Sequence, residues 1–470
     1  MNQPQLMRLT SIGLASILLL GIFGKSLISG NEPFSWLVQK QRGDSEGTFA
    51  NWCRKKASLS VETKHTVEVL LKKAGTTECE AADRQLSSLT KLKLDKNQIR
   101  DIKPLASLTH LDWLSLDNNQ ISDIKPLASL TKLNYLALTH NQIKDIKPLA
   151  SLTKLNYLAL THNQIKDIKP LASLTTLTHL WLNKNQIRDI KPLASLTKLN
   201  YLSLDKNQIR DIKPLASLTK LNYLSLDSNQ IGDIEPLASL TKLNYLSLTS
   251  NQIGDIEPLA SLTKLNYLFL DSNQIGDIEP LASLTNLTSL NLNNNKIKDI
   301  KPLASLGPSH NSCGVGILAP VNRLFGRCLL TNLTVLDLHN NQISDIKPLA
   351  SLTNLTSLNL NNNKIKDIKP LASLGSSHNS CGVGILAAVN RLFERCLLTN
   401  LTVLDLHNNQ ISDIKPLASL TNLTDLNLNN NQIKDIKPLA SLTKLTTLYL
   451  SRNSSAPKTC PLKPESICNW

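Results

Sequence analysis

Residues 111–121 read Leu-Asp-Trp-Leu-Ser-Leu-Asp-Asn-Asn-Gln-Ile, and their pattern L-x-x-L-x-L-x-x-N-x-I returns along most of the chain, usually every 22 residues. Fifteen copies, numbered here as repeats one to fifteen, begin at Leu89, Leu111, Leu133, Leu155, Leu177, Leu199, Leu221, Leu243, Leu265, Leu287, Leu333, Leu355, Leu401, Leu423 and Leu445. A period of this length indicates a stack of small structural units, because one unit alone cannot bury its apolar face.

The leucines inside each copy predict a short strand with one buried face. Leu114 and Leu116 lie two residues apart, so on a strand they point to the same side, which we predict to be the core. Trp113, Ser115 and Asp117 are then expected to face outward. The asparagine that follows each strand turns the chain, and its side-chain amide can satisfy backbone groups that the turn leaves unpaired. We therefore predict a ladder of stacked amides.

The rest of each unit supplies the opposite wall. Residues 122–130 read Ser-Asp-Ile-Lys-Pro-Leu-Ala-Ser-Leu, with Pro126 where a short helical turn can start. Ile124, Leu127 and Leu130 are predicted to face the core from this wall.

Together these patterns resemble the leucine-rich repeat. The 22-residue length and the wording D-I-x-P-L-A-S-L resemble the internalin type, which is found on bacterial cell surfaces, and the resemblance covers roughly residues 80 to 455. It implies an α/β solenoid, a leucine-rich-repeat horseshoe with a parallel β-sheet on the concave face and short helical or 3-10 turns on the convex face. The 470 residues would make an unusually large single globular core, whereas a solenoid has no such limit.

The N-terminal residues have the charge order of an export signal. Arg8 precedes an uncharged stretch over residues 9–24, and Lys25 follows it. The stretch is short for a membrane span of about 20 residues, so we interpret residues 1–30 as a signal peptide or an N-terminal membrane anchor. We expect the protein at the cell surface, in the periplasm or secreted, with membrane contact only through this segment. If the segment is no signal, an intracellular regulator is the alternative.

The array needs a cap at each open end. Residues 31–47 are predicted to be a linker, and residues 48–88 a helical N-terminal cap. In this cap Ser60 can begin a helix over residues 61–73, with Gly75 after its end. The repeats then occupy residues 89–455.

The C-terminal cap is predicted at residues 456–470. The chain has eight cysteines, an even number that suggests disulfides in an exported protein. We pair Cys53 with Cys79, on either side of the predicted helix, and Cys460 with Cys468 in the C-terminal cap.

Two near-identical inserts of 24 residues, 307–330 and 375–398, interrupt the array. Their cysteines are Cys313, Cys328, Cys381 and Cys396. These four cysteines allow three disulfide connectivities. The simplest pairs Cys313 with Cys328 and Cys381 with Cys396, so that each disulfide closes a short loop within one insert. His310 beside Cys313 places a base near a thiol, but no third orienting residue is apparent and the spacing is unlike structural zinc sites. We therefore predict no enzyme, no metal and no cofactor.

Aromatic residues recur at outward strand positions of repeats two to nine. They are Trp113, Tyr135, Tyr157, His179, Trp181, Tyr201, Tyr223, Tyr245, Tyr267 and Phe269. Strands about 4.8 Å apart would stack these side chains into a stripe about 35 Å long. Such a stripe is a candidate binding site for a protein. The alternative is that the wording was merely copied and the rings stabilise neighbouring strands, and the two are not exclusive.

Lysines recur on the outer wall. They are Lys103, Lys125, Lys147, Lys169, Lys191, Lys213, Lys301, Lys347, Lys369, Lys415 and Lys437, with Glu235, Glu257 and Glu279 in repeats seven to nine. With a net charge of +15, these stripes suggest a second function, an envelope adhesin that holds anionic polysaccharide or lipid. The alternative explanation of these lysines is that they keep the protein soluble and pair with neighbouring aspartates. A nucleic-acid partner is not expected for an exported chain.

Overall fold

The computed structural model describes residues 47–306, 332–374, 400–453, 456–457 and 459–470. The predicted signal segment, nearly all of the predicted linker and both inserts with their four cysteines lie outside the described residues. Within the described ranges, no helix combines the length and the apolar character needed to cross a membrane.

The described residues contain sixteen parallel strands, which form one open sheet in chain order. They are β1 Lys91–Lys93, β2 Trp113–Ser115, β3 Tyr135–Ala137, β4 Tyr157–Ala159, β5 His179–Trp181, β6 Tyr201–Ser203, β7 Tyr223–Ser225, β8 Tyr245–Ser247, β9 Tyr267–Phe269, β10 Ser289–Asn291, β11 Val335–Asp337, β12 Ser357–Asn359, β13 Val403–Asp405, β14 Asp425–Asn427, β15 Thr447–Tyr449 and β16 Cys468–Asn469. Equivalent residues pair, as Tyr201 does with Tyr223. The predicted solenoid with a parallel sheet on its concave face is confirmed.

Short 3-10 helices form the convex wall. They span Lys103–Ser107, Lys125–Ser129, Lys147–Ser151, Lys169–Ser173, Lys191–Ser195, Lys213–Ser217, Glu235–Ser239, Glu257–Ser261, Glu279–Ser283, Lys301–Leu306, Lys347–Ser351, Lys369–Leu374, Lys415–Ser419 and Lys437–Ser441, with Lys56–Ser58 and Glu465–Ile467 in the caps. In each repeat the aspartate before the helix accepts the first backbone N–H, as Asp123 Oδ1 does from Lys125 at 2.9 Å. The serine at the end reaches the previous repeat, as Ser129 Oγ does in donating to the Ala106 carbonyl at 2.8 Å.

The core lies between the sheet and the 3-10 helices and consists of leucine and isoleucine. Leu114, Leu116, Ile124, Leu127 and Leu130 are all buried, which confirms both predicted walls. Each such side chain contributes about 1.5–3 kcal/mol through the apolar surface that it removes from water.

The predicted amide ladder is present at the edge of this core. Asn229 Nδ2 donates to the carbonyl of Leu226 in its own repeat at 3.0 Å and to that of Leu204 in the previous repeat at 3.1 Å. Its Oδ1 accepts the backbone N–H of Ile209 at 3.0 Å. One side chain therefore satisfies three buried backbone groups and joins two repeats.

The ladder continues past the first insert. Asn341 donates to the carbonyl of Leu292 at 3.0 Å and accepts the backbone N–H of Ile297 at 3.0 Å. Strand β10 pairs with β11 across the same gap. Asn409 repeats the arrangement past the second insert with Leu360. Neither insert therefore shifts the register of the repeats.

Three helices shield the N-terminal end of the core, namely α1 Phe49–Arg54, α2 Val61–Ala74 and α3 Cys79–Ser87. The sequence predicted α2 but not α1 or α3. Ser60 caps α2 by accepting the backbone N–H of Thr63 at 3.3 Å, and Gly75 ends it in the left-handed conformation.

Disulfides link the elements of both caps. Cys53 in α1 is bonded to Cys79 at the start of α3, with their Cα atoms 5.5 Å apart. Cys460 is bonded to Cys468, with 5.8 Å between the Cα atoms. Cys468 begins β16, which pairs with β15 and so covers the last strand of the array. The sequence did not predict this sixteenth strand.

We expect Asn229→Ala to lower the free energy of unfolding by about 3 kcal/mol, because it leaves three buried backbone groups without a partner. Urea unfolding followed by circular dichroism measures the change. The matched control is Asn222→Ala, at an exposed asparagine of the same repeat, where we expect a change within about 0.5 kcal/mol. Equal losses in the two variants would show that the ladder amide has no special role.

Candidate interaction surface

The structure brings the ten predicted aromatic side chains together on the concave face, and we call them the aromatic stripe. Trp113 stacks on Tyr135 with ring centroids 4.8 Å apart, and Tyr135 stacks on Tyr157 at 4.0 Å. The rings are within 15° of parallel in both pairs. This spacing follows from the register, because equivalent residues of adjacent repeats pair directly.

Repeat five continues the stripe through a different strand position. The Trp181 ring lies 4.4 Å from Tyr157 and 4.6 Å from Tyr201, whereas His179 lies 6.3 Å and 6.1 Å from the same two rings. The His179 Nδ1 atom is instead 2.7 Å from the hydroxyl of Thr178. Trp181 therefore fills the place that a tyrosine would hold at position 179.

Ring stacking is most regular in the second half of the stripe, and the rings move apart at its end. Tyr201, Tyr223 and Tyr245 stack at 4.0 Å and 4.2 Å, within 10° of parallel. Beyond Tyr245 the centroids of Tyr267 and Phe269 lie 6.2 Å and 5.5 Å away. Tyr267 is 43% exposed, and the stripe thus ends in a ring that its neighbours do not cover.

Most rings of the stripe are half-buried against one another. Burial raises the pKa of Tyr135 and of Tyr245 above the usual value for tyrosine. On the same strands, Ser115 and Ser203 are only 4% and 2% exposed. Ser115 is therefore buried although it lies on the side of the strand opposite the core leucines Leu114 and Leu116. The Ser115 hydroxyl donates to Asp95 Oδ1 of the previous repeat at 2.5 Å, a contact between repeats that alternation along a single strand does not reveal.

Beside the stripe runs a column of hydrogen-bonded carboxylates that the sequence did not predict. Asp205 Oδ1 accepts the hydroxyl of Ser225 at 2.5 Å and the backbone N–H of Asp227 at 3.0 Å. Asp227 Oδ1 in turn accepts the hydroxyl of Ser247 at 2.5 Å. Burial raises the pKa of Asp227 to about 6. The signal was available as a serine and an aspartate two residues apart in consecutive copies.

From repeat ten onward the concave face carries amides, carboxylates and histidines. His339 Nδ1 lies 2.7 Å from Asp337 Oδ1 and 3.3 Å from Asn359 Nδ2. His407 and Asp405 repeat the first contact at 2.7 Å. Among the residues that the structure describes, no three histidine, cysteine or acidic side chains are grouped so as to hold a metal ion.

The predicted lysine stripe lies exposed on the outer wall. Lys103 Nζ is 3.4 Å from Asp101 and Lys301 Nζ is 3.3 Å from Asp299, which gives the expected pairing in two repeats. In every described repeat that carries it, the aspartate of this motif accepts a backbone N–H, as Asp189 does from Lys191. The common role of these aspartates is therefore to cap the 3-10 helix, and pairing with the lysine is added in the two repeats named above.

Comparison with known proteins agrees with this architecture. A family model described as Leucine Rich repeats (2 copies) matches more than half of the chain. The matched residues are 87–129, 109–150, 131–173, 175–217, 219–261, 263–305, 331–373, 399–441 and 421–459. No match was found among curated protein sequences.

Several solved structures are similar to the chain. An internalin from Listeria monocytogenes is 36% identical, with 78% of this chain and 95% of that one covered and a TM-score of 0.65. A leucine-rich-repeat protein from Leptospira interrogans is 25% identical, with coverages of 83% and 91% and a TM-score of 0.65. The functional domain of InlJ from Listeria monocytogenes, at 20% identity, coverages of 86% and 81% and a TM-score of 0.60, shares the fold.

We expect the Asp227 carboxyl to make stability depend on pH. Its pKa of about 6 in the folded protein exceeds the value of about 3.9 in an unfolded chain, so the folded state binds the proton more tightly. Its contribution is therefore present at low pH and lost as pH rises through 6. Asp227→Asn should be more stable than the parent by about 1 kcal/mol at pH 7, allowing for solvent screening, and equal to it near pH 4.

Urea unfolding at several pH values tests this expectation. The control is Asn222→Ala, at an exposed asparagine of the same repeat, which removes no titratable group and should leave the pH dependence between about 4 and 7 unchanged. An Asp227→Asn protein with the pH dependence of the parent would contradict it.

Proposed function

The chain belongs to the leucine-rich-repeat family, with repeats like those of the internalins, and from this membership we propose that it is an exported module that binds a protein partner on its concave face. The partner docks on the aromatic stripe, with the rings of repeats two to nine as anchors. Recognition is by complementarity of surfaces, and no bond is made or broken.

The observation that carries the proposal is the continuous ring stack. Stacked rings such as Tyr201, Tyr223 and Tyr245 are held by their neighbours at about 4 Å, so they lose little conformational freedom when a partner arrives. Aromatic side chains offer large contact areas and are enriched among the residues that dominate binding energy. A stack that served only the sheet would explain the half-buried rings, but it does not require the exposed ring of Tyr267 at its end.

Export is supported by the cysteines. A disulfide links the elements of each cap, and such bonds persist in oxidising surroundings outside the cytosol. The charge order of residues 1–30 is that of an export signal. We propose the cell surface, the periplasm or the medium as the site of action.

The test is capture of partners from envelope and culture fractions with the immobilised full chain, at low salt and at about 0.5 M NaCl. We expect a protein that remains bound at high salt. Replacing Tyr201, Tyr223 and Tyr245 together by Ala should reduce its capture at least tenfold, because each ring is worth about 1 kcal/mol or more as an anchor. Circular dichroism must first show that the variant is folded.

Two matched variants sharpen this test. Tyr449→Ala removes a tyrosine that is as exposed as Tyr267 but lies outside the stripe, and it should capture the partner as the parent does. Lys125→Glu with Lys147→Glu reverses two charges on the outer wall and should also bind normally. Capture that ignores the tyrosines, disappears at high salt and fails in the lysine variant would overturn the proposal in favour of the anionic-polymer adhesin.

A further inference from the structure

The outer wall changes sign between repeats six and seven. Repeats four to six carry a basic block, which consists of Lys166, Lys169, Arg188, Lys191, Arg210 and Lys213. Repeats seven to nine carry an acidic block, which consists of Asp233, Glu235, Asp255, Glu257, Asp277 and Glu279. All twelve side chains are exposed. Because the repeats stack in register, the two blocks lie end to end along the outer wall. We call this strip of repeats four to nine the charged edge.

Each block carries a net charge that its own repeats do not neutralise. The basic block sets six cations against the three aspartates of its own repeats, whereas the acidic block contains six carboxylates. In the acidic block the position of Lys166, Arg188 and Arg210 is held by glycine. Within the described ranges, none of the twelve side chains forms an ion pair inside the chain.

The backbone does not require these glycines. None of Gly232, Gly254 and Gly276 has a left-handed φ, and a Cβ atom would meet nothing nearer than the Gln252 carbonyl at 3.8 Å, at Gly232. An arginine would fit there as it does in repeats five and six. Two positions of the repeat thus lose positive charge in the same three copies, without a steric or conformational cause.

We propose that this edge is an interface between two copies of the chain. A twofold axis between repeats six and seven places repeat six of one copy against repeat seven of the other, five against eight and four against nine. The basic block of each copy then faces the acidic block of its partner, and the same pairing occurs twice. This is the self-complementary arrangement that twofold dimers use. The acidic block is three repeats long, and the three basic repeats directly before it supply its counterpart, while the positive positions continue into repeat three as Lys144 and Lys147.

The strength of this interface depends on salt. A single exposed ion pair contributes little, but the two symmetry-related rows bring three Lys–Glu pairs each. Their attraction is screened over about 10 Å at 0.1 M salt and over about 3 Å at 1 M. The dimer therefore forms at low ionic strength and dissociates at high ionic strength. It leaves the concave face free, so its failure and failure of the proposed partner binding are separate results.

Sedimentation velocity of the full chain at about 0.02 M and about 0.5 M NaCl tests the inference. We expect twice the monomer mass of 51.8 kDa at low salt and the monomer at high salt. Reversing the acidic row with Glu235→Lys, Glu257→Lys and Glu279→Lys should give a monomer at both. Reversing the basic row with Lys169→Glu, Lys191→Glu and Lys213→Glu should do the same.

Two further measurements exclude misfolding as the cause of a lost dimer: a mixture of the two variants, and a protein that carries both sets of substitutions. An equimolar mixture should form a heterodimer, because one variant is then basic over both blocks and the other acidic. The protein with all six substitutions should self-associate again. The charge-matched control Lys347→Glu, Lys369→Glu and Lys415→Glu, at the same repeat position outside the blocks, should remain dimeric at low salt. A monomeric parent at low salt, or a dimer that survives either row reversal, overturns the proposal.

Discussion

The fold depends on the buried amide at the end of each strand. A strand of three residues leaves the chain with few backbone partners of its own, and the turn that follows buries carbonyl and N–H groups beside an apolar core. The amide of Asn229 satisfies such groups in its own repeat and in the previous one, so a repeat is complete only when the next repeat stacks on it. The register of the sheet and the constant repeat length both follow from this requirement.

Because the amides fix the register, equivalent residues of neighbouring repeats become neighbours in space. Any outward position of the repeat is thereby converted into a column along the solenoid. The aromatic stripe, the carboxylates around Asp205 and the charged edge of repeats four to nine are three such columns. The core leucines and the ladder asparagine leave these outward positions free to vary, so binding properties can change without cost to the stack.

Much of the fold could be predicted from the sequence, since period and apolar spacing determine the strands, both core walls and the position of Asn119 and its equivalents. The sequence also predicted helix α2, because Ser60 and Gly75 mark its ends. It did not predict α3, in which Ala82 and Leu86 provide only a short apolar face, or the pairing of β16, which has no repeat wording.

For the candidate surface, the identity and outward position of the rings could be predicted from the sequence, but their burial could not. Whether Trp181 or His179 enters the stack depends on which side chain reaches the space between Tyr157 and Tyr201. The burial of Ser115 and the raised pKa of Asp227 depend on side chains from adjacent repeats, 20 or more residues away in the chain. Such properties belong to the assembled stack and cannot be assigned to a single copy.

The uninterrupted ladder past both interruptions has a consequence for how this chain can grow. Asn341 and Asn409 donate to carbonyls 49 residues earlier in the sequence, yet the distances match that of Asn229, which donates to a carbonyl 25 residues earlier. The connection between a 3-10 helix and the following strand is thus an insertion point at which new segments can be accepted while the columns on the concave face stay continuous. The chain can therefore become longer at these points without lengthening the solenoid. The array can acquire accessory segments while the spacing between repeats that a ligand would encounter remains constant.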